Sequence, residues 1–315
     1  MSKIVSMINW KGGVGKSTLS LHLGVGVRRR SNGVTKVLLV DLDPQCNLSF
    51  LALGVSKYID TVYSNNGQAS LKEMFECYFS SNQFDVNNAI VKQPISSSPG
   101  KVWAEVDIIL SHQELVLVDL RLARERKSGA SHKEETLYEL AKISILHEAL
   151  AQVSDEYDYI FLDCPPNINL VTQNALFASD YFIIPAIPDF LSTIGISLIK
   201  DKMEDLNNDF KSMIAYSGMV VDYNDTEFSG IIFNMVTERS QKPKDTHEQT
   251  IASVSNQHPG KPFTNYLTLG DGISVASENN YTVYSHQYLP KARQNAVKQS
   301  NYLDRIVDEL LQRIP

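Results

Sequence analysis

Asn9-Trp-Lys-Gly-Gly-Val-Gly-Lys-Ser-Thr18 is the stretch that decides how this chain reads. It follows an apolar run, Lys3 to Asn9, with the character of a strand, and it leads into a helical pattern through His22 and Arg30. A glycine-rich turn at a strand-to-helix junction exposes backbone N–H groups and the positive end of a helix dipole, and both attract phosphate oxygens. Lys16 would then reach the β and γ phosphates, and the Ser17 hydroxyl would ligate Mg²⁺. A turn that merely connects two elements is the alternative, but strand, loop, Lys-Ser pair and helix all agree with phosphate binding. The ordinary pattern G-x-x-x-x-G-K-[ST] asks for glycine at position 10, where this chain has Trp10. Lys11 is instead a second lysine in the same short loop, and two cations so close make electrostatic sense when a polyphosphate offsets both.

Two further strand-like runs end in acids. Val37-Leu-Leu-Val-Asp-Leu-Asp-Pro-Gln-Cys-Asn47 carries Asp41 and Asp43, which period-two alternation puts on one side with Leu42 opposite. Both would face the phosphate site at the C-terminal edge of the strands, where open α/β sheets bind ligands. Tyr159-Ile-Phe-Leu-Asp-Cys-Pro-Pro166 is an apolar run capped by Asp163 and stopped by two prolines. With Lys36 to Asp41, Val106 to Leu110, Tyr181 to Pro185 and Gly230 to Asn234, these runs predict an α/β fold: a mostly parallel twisted sheet flanked by helices.

Hydrophobic residues are 43% and charged residues 21% of the 315, which excludes wholesale disorder and coiled-coil architecture. The chain reads as a single domain over 1–315, with a polar elaboration at about 51–105 and an extended helical segment at about 113–150. Within the latter, Arg121, Arg124, Arg126, Lys127 and Lys133 stand beside Glu125, Glu134 and Glu135, a mixture expected of a solvated surface, with a partner site as the alternative. Lys plus Arg is 29 against 36 Asp plus Glu, so any contact with DNA would have to be a local patch. No apolar run approaches a membrane span of about 18 residues. The first residues read as a strand rather than a signal peptide, and the expectation is a cytoplasmic protein. Cys46, Cys77 and Cys164 are widely spaced with no C-x-x-C, as plain thiols would be. Near the end, Leu303, Ile306, Val307, Leu310, Leu311 and Ile314 share one helical face whose opposite side is of mixed charge, which favours core packing over a membrane surface.

Lys11-Gly-Gly-Val-Gly-Lys-Ser17 resembles the deviant Walker A box of the ParA/MinD superfamily of ATPases, and the chain looks most like its ParA-type partition proteins. The resemblance covers nearly the whole chain and is weakest after Met235. It implies a P-loop NTPase fold in which Lys11, Gly12, Gly13, Val14, Gly15, Lys16, Ser17 and Thr18 hold ATP. It also implies that Lys11 reaches the partner subunit's nucleotide in an ATP-sandwich homodimer. Asp41 to Asn47 resembles the family's D-x-D-P-Q-x-N box, which gives Asp43 the attacking water and Asp41 a supporting place in the Mg²⁺ shell. Asp163 resembles the Walker B acid that holds Mg²⁺ through water. Phe182-Ile-Ile-Pro-Ala-Ile-Pro188, Thr193-Ile-Gly195 and Asp107-Ile-Ile-Leu-Ser-His-Gln113 are similar to other family segments. The strand ending Phe233-Asn-Met-Val-Thr-Glu238 lacks an N-K-x-D or T-K-x-D box, which favours ATP over GTP. By resemblance Asn234 contacts adenine, with a turn-capping role as the alternative.

The implied function is a dimeric, ATP-dependent switch for plasmid or chromosome partition or for cargo positioning. Its hydrolysis would be stimulated by a ParB-like or cargo-adaptor protein, and it would bind nucleoid DNA without sequence preference. Arg239, Lys242, Lys244, Lys291, Arg293 and Lys298 are the candidate basic contacts. From Asp201 onward, however, 11 Lys plus Arg face 15 Asp plus Glu, and Leu269 to Tyr284 has no arginine, so another matrix stays open. A MinD-like, membrane-cycling regulator of division-site or polar placement is the principal alternative. A redox relative would need two cysteines placed to share a cluster, whereas Cys46 and Cys164 follow the acidic boxes. A chain opening at its first strand also leaves no room for the N-terminal helix-turn-helix of a site-specific regulator.

Overall fold

The computed structural model describes every residue except 32–33, 65–66, 81–82 and 127–128, together with all side chains of those described but Leu191; Lys127 thus lies outside the described residues. The strands are β1 Lys3–Met7, β2 Val37–Asp41, β3 Ile90–Val91, β4 Ser96–Ser98, β5 Lys101–Val102, β6 Val106–Ile109, β7 Tyr159–Asp163, β8 Tyr181–Ala186, β9 Glu227–Phe233, β10 Glu238–Arg239 and β11 Lys242–Pro243. The first six helices are α1 Lys16–Arg30, α2 Asn47–Leu53, α3 Val55–Val62, α4 Leu71–Ser80, α5 Leu115–Arg124 and α6 His132–Ile143. They are followed by α7 Ile145–Ala151, α8 Leu170–Phe177, α9 Phe190–Ser217, α10 Asp245–Gln257, α11 Gly272–Glu278 and α12 Arg293–Arg313.

Seven strands join in the order β3-β6-β2-β7-β1-β8-β9. All neighbours run parallel except β3, which is antiparallel to β6. The expected strands are all present, within a residue or two except that β9 starts three residues early. Alternation along the central strands divides the core into two layers. Leu38, Val40, Ile160 and Leu162 join the layer built with α4 to α9. Val37, Leu39, Tyr159 and Phe161 join the layer built with α1, α2 and α12. A sheet buried on both faces needs such unbroken apolar strands, and all five residues of β2 and of β7 are buried.

The segment 51–105 supplies α3, α4, β3 and the β4–β5 hairpin, and 113–150 supplies α5, α6 and α7. Arg121, Arg124, Arg126 and Lys133 are exposed, as a solvated surface requires, and Arg121 lies over the Phe79 ring at 3.7 Å. The C-terminal stripe goes into the core: Leu303, Ile306, Val307, Leu310 and Ile314 are fully buried. Each such side chain contributes about 1.5–3 kcal/mol by leaving water. Arg29 and Arg30 of α1 meet Asp304 and Asp308 on the polar side of α12. No described helix is long and apolar enough to cross a membrane.

Candidate nucleotide site

Strand register brings the three functional stretches to one edge. Met7 pairs with Asp163, and Asp163 pairs with Asp41, across β1, β7 and β2. The glycine-rich loop and two of the acids therefore emerge side by side. Gly13 and Gly15 take φ of 74° and 89°, a region that side chains rarely adopt. A Cβ on Gly15 would lie 2.0 Å from Asn234 Nδ2, so the loop also needs glycine there for space. Gly15 caps α1 without a side-chain hydrogen bond, and the first turn of α1 holds no acid. The positive end of this helix is thus left for an external anion.

Gly12, Gly13, Gly15, Lys16, Ser17 and Thr18 line a cavity of about 690 Å³. Asp43 and Pro166 lie on its wall beside them. Lys16 is buried within the loop, its ammonium 3.1 Å from the Asn9 carbonyl oxygen and 3.5 Å from that of Lys11. Burial lowers its pKa, and Asp163 and Asp43 act against that shift. Val14 is buried and gives its carbonyl to Asn234 Nδ2 at 2.9 Å. Asn234 Oδ1 meanwhile accepts the Met235 N–H at 2.8 Å. Asn234 therefore pins the loop, and a contact with adenine would have to use the second hydrogen of its amide or the remaining lone pair of Oδ1.

Asp41 and Asp43 divide between two surroundings, because β2 ends at Asp41 and strict alternation ends with it. Asp43 faces the cavity, and its Oδ1 accepts the Gln45 N–H at 2.9 Å. Asp41 is fully buried, and its Oδ2 accepts both the N–H of Ser49, at 2.8 Å, and its hydroxyl, at 2.7 Å. Burial and the neighbouring Asp163 push the Asp41 carboxyl well above the usual carboxylate range, against the pull of Ser49. Burial likewise pushes Asp163 up to about 7, opposed by the Ser17 hydroxyl and the Lys16 ammonium.

Asp163 Oδ2 is buried and has no hydrogen-bond partner. An orphaned carboxylate oxygen, a second buried carboxyl beside it and a serine hydroxyl within reach form a hard oxygen donor set short of positive charge. These residues fit Mg²⁺.

Sequence reasoning missed three residues here. Asn9 anchors the loop to β8 through Pro185 O at 2.7 Å and accepts the Lys11 N–H at 2.8 Å. Asp189 holds Lys11 Nζ at 2.6 Å and caps α9 by accepting the Ser192 N–H at 2.9 Å. Partial burial would raise the Asp189 carboxyl, but Lys11 and Ser192 outweigh it and hold the group below its usual range. Ser49 is the third. An Asp after Pro188 reads only as a loop signal, and nothing in the sequence tells that Ser49 folds back onto Asp41.

The basic candidates separate into two sets. Lys298 is paired with Glu238, Lys291 lies 4.0 Å from Glu278, and Arg293 Nε donates to Leu289 O at 2.6 Å. Arg239, Lys242 and Lys244 lie on or beside the β10–β11 hairpin and make no ion pair among the described residues.

A family model described as an AAA domain matches residues 2–216. An uncharacterised protein of Methanocaldococcus jannaschii is 31% identical over 250 residues, covering 78% of each chain. The virulence plasmid ParA family protein pGP5-D of Chlamydia psittaci is 32% identical over 239 residues, 76% of this chain and 71% of its own length. Among solved structures, the McdA–ATP complex of Cyanothece matches with a TM-score of 0.64 over 96% of each chain at 16% identity, a likeness of fold.

Proposed function

The chain belongs to the ParA/MinD family of deviant Walker A ATPases, and from that premise we propose that it is an ATP-dependent dimeric switch for DNA partition or cargo positioning. The observation that carries this reading is the convergence of Lys16, Asp43 and the orphaned Asp163 oxygen beside the glycine-rich loop, with a second loop lysine held by Asp189 and Ser192.

In this reading the whole chain is one P-loop domain. The loop N–H groups and Lys16 bind the β and γ phosphates, with Lys16 leaving its contacts with the Asn9 and Lys11 carbonyls to do so. Ser17 and Asp163, with Asp41 behind them, would hold Mg²⁺, which neutralises charge on the phosphates. Asp43, on the open wall, orients the attacking water. Lys11 leaves Asp189 and crosses to the partner's nucleotide. Magnitudes permit that exchange. Lys11 and Asp189 are each more than a third exposed, and such a pair contributes about 0–1 kcal/mol, whereas a desolvated charge pair with phosphate is worth about 2 kcal/mol or more. Slow turnover by the free protein and stimulation by a ParB-like or cargo-adaptor protein follow if a partner must complete the site.

Exposed Arg239 and Lys242 on the β10–β11 hairpin, with half-buried Lys244 beside it, support contact with non-specific DNA, which would place the ATP state on the nucleoid. Membrane cycling of the MinD type has less support, since the apolar face of α12 is already packed. The reading is tested by retention on duplex DNA at two salt concentrations, with and without ATP. Retention should need ATP, because dimerisation doubles the basic contacts, and should fall steeply with salt through counterion release. Retention indifferent to ATP or to salt would contradict partition on DNA.

A further inference from the structure

Ser49 carries more hydrogen bonds than a helix serine needs. Besides the two bonds to Asp41 Oδ2, its Oγ accepts the Ser111 N–H at 3.1 Å. Because Ser111 can only donate there, the single hydroxyl hydrogen of Ser49 is committed to Asp41. The Ser111 carbonyl in turn accepts the Tyr58 hydroxyl at 3.0 Å, with Cys46 Sγ at 3.3 Å from the same hydroxyl. Asp41, Ser49 and Ser111 are fully buried and Tyr58 is nearly so, so water cannot replace any link. A continuous line of bonds therefore joins α3 to Asp41 through Ser111, the second residue after β6. Its outer end is beside the nucleotide cavity too, since Val55, the first residue of α3, lines that cavity.

We propose that Ser49 is the positioning residue of the metal side: by fixing Asp41 Oδ2 with two donors it orients the carboxylate toward the Mg²⁺ shell, and Tyr58, acting through Ser111, fixes Ser49. The other carboxylate oxygen keeps only the Asp43 N–H, at 3.2 Å, and so retains a free lone pair. The inference rests on the assignment of Asp41 and Asp163 to Mg²⁺ made above. Groups behind a metal ligand characteristically change metal affinity by about 10- to 100-fold when removed.

The test uses Mn²⁺ as the probe, titrated by electron paramagnetic resonance into the full chain with saturating ADP, alongside ADP titrations in excess EDTA. Ser49→Ala is expected to weaken Mn²⁺ binding about tenfold. Tyr58→Phe, which removes one hydroxyl from a retained ring, should weaken it about threefold, less than Ser49→Ala because Tyr58 acts two links further from Asp41. Both variants should keep the metal-free ADP affinity within about twofold, since neither residue lies on the phosphate loop. Unchanged Mn²⁺ affinity in both variants would overturn the proposal. A loss of metal-free ADP affinity in step with that for Mn²⁺ would also overturn it, because Ser49 would then merely shape the loop. If the unaltered chain binds no ADP, the nucleotide assignment itself falls, a result distinct from either.

Discussion

Lys16→Ala is expected to bring ATP binding below detection at micromolar protein. Lys16 is the buried cation of the loop, held by two backbone carbonyls with Asp163 and Asp43 nearby. An alanine leaves those carbonyls without a donor and adds no charge to offset incoming phosphates. Truncating one partner of a desolvated charge pair costs roughly 2–5 kcal/mol, about thirty- to several-thousandfold in affinity. Titration with a fluorescent ATP analogue measures the effect, and circular dichroism confirms that the variant is folded. Unchanged affinity would contradict the assignment of the loop.

Asp43→Ala should act on the other half of the cycle. The hydrogen bonds of Asp43 are local, to Asp41, Gln45 and Cys46, and no bond of the phosphate loop among the described residues depends on it. Binding of ATP should therefore stay within about threefold, while turnover falls by about 10²–10⁴, the usual worth of a positioned acid–base group. The ATP-bound dimer would accumulate, visible in sedimentation, and single-turnover hydrolysis would report the loss directly. Hydrolysis at the unaltered rate would contradict a role for Asp43 in placing water.

The layers of the sheet were legible in the sequence because strands buried on both faces are continuous apolar runs, as in Val37 to Asp41 and Tyr159 to Asp163. The loop was legible for a different reason: phosphate binding restricts which residues can stand at consecutive positions, so Gly13, Gly15, Lys16 and Ser17 speak for themselves. Ile90–Val91 escaped notice because two residues show no period, and that strand exists by pairing with β6 at the sheet edge. Alternation likewise stops short of Asp43, two residues past the end of β2, where the turn through Pro44 takes over. Asp189 and Asn234 do their work through partners distant in sequence, Lys11 and Val14, while Ser49 meets Asp41, eight positions away, by folding back from α2. Asn234 and Val14 are 220 positions apart, and only the folded chain brings them together.

The central claim is that Lys11 serves the partner subunit's nucleotide, and one comparison on Lys11→Ala tests it most directly. ATP affinity is measured at protein concentrations too low for dimers, and sedimentation velocity with ATP is measured on the same variant at high concentration. Monomer affinity should remain within about threefold, because Lys11 is paired with Asp189 and does not line the cavity of its own subunit. The ATP-dependent dimer should be lost, since the trans cation that offsets the γ phosphate and links the subunits is gone. Affinity falling in step with that of Lys16→Ala, or a dimer as stable as that of the unaltered chain, would contradict the account.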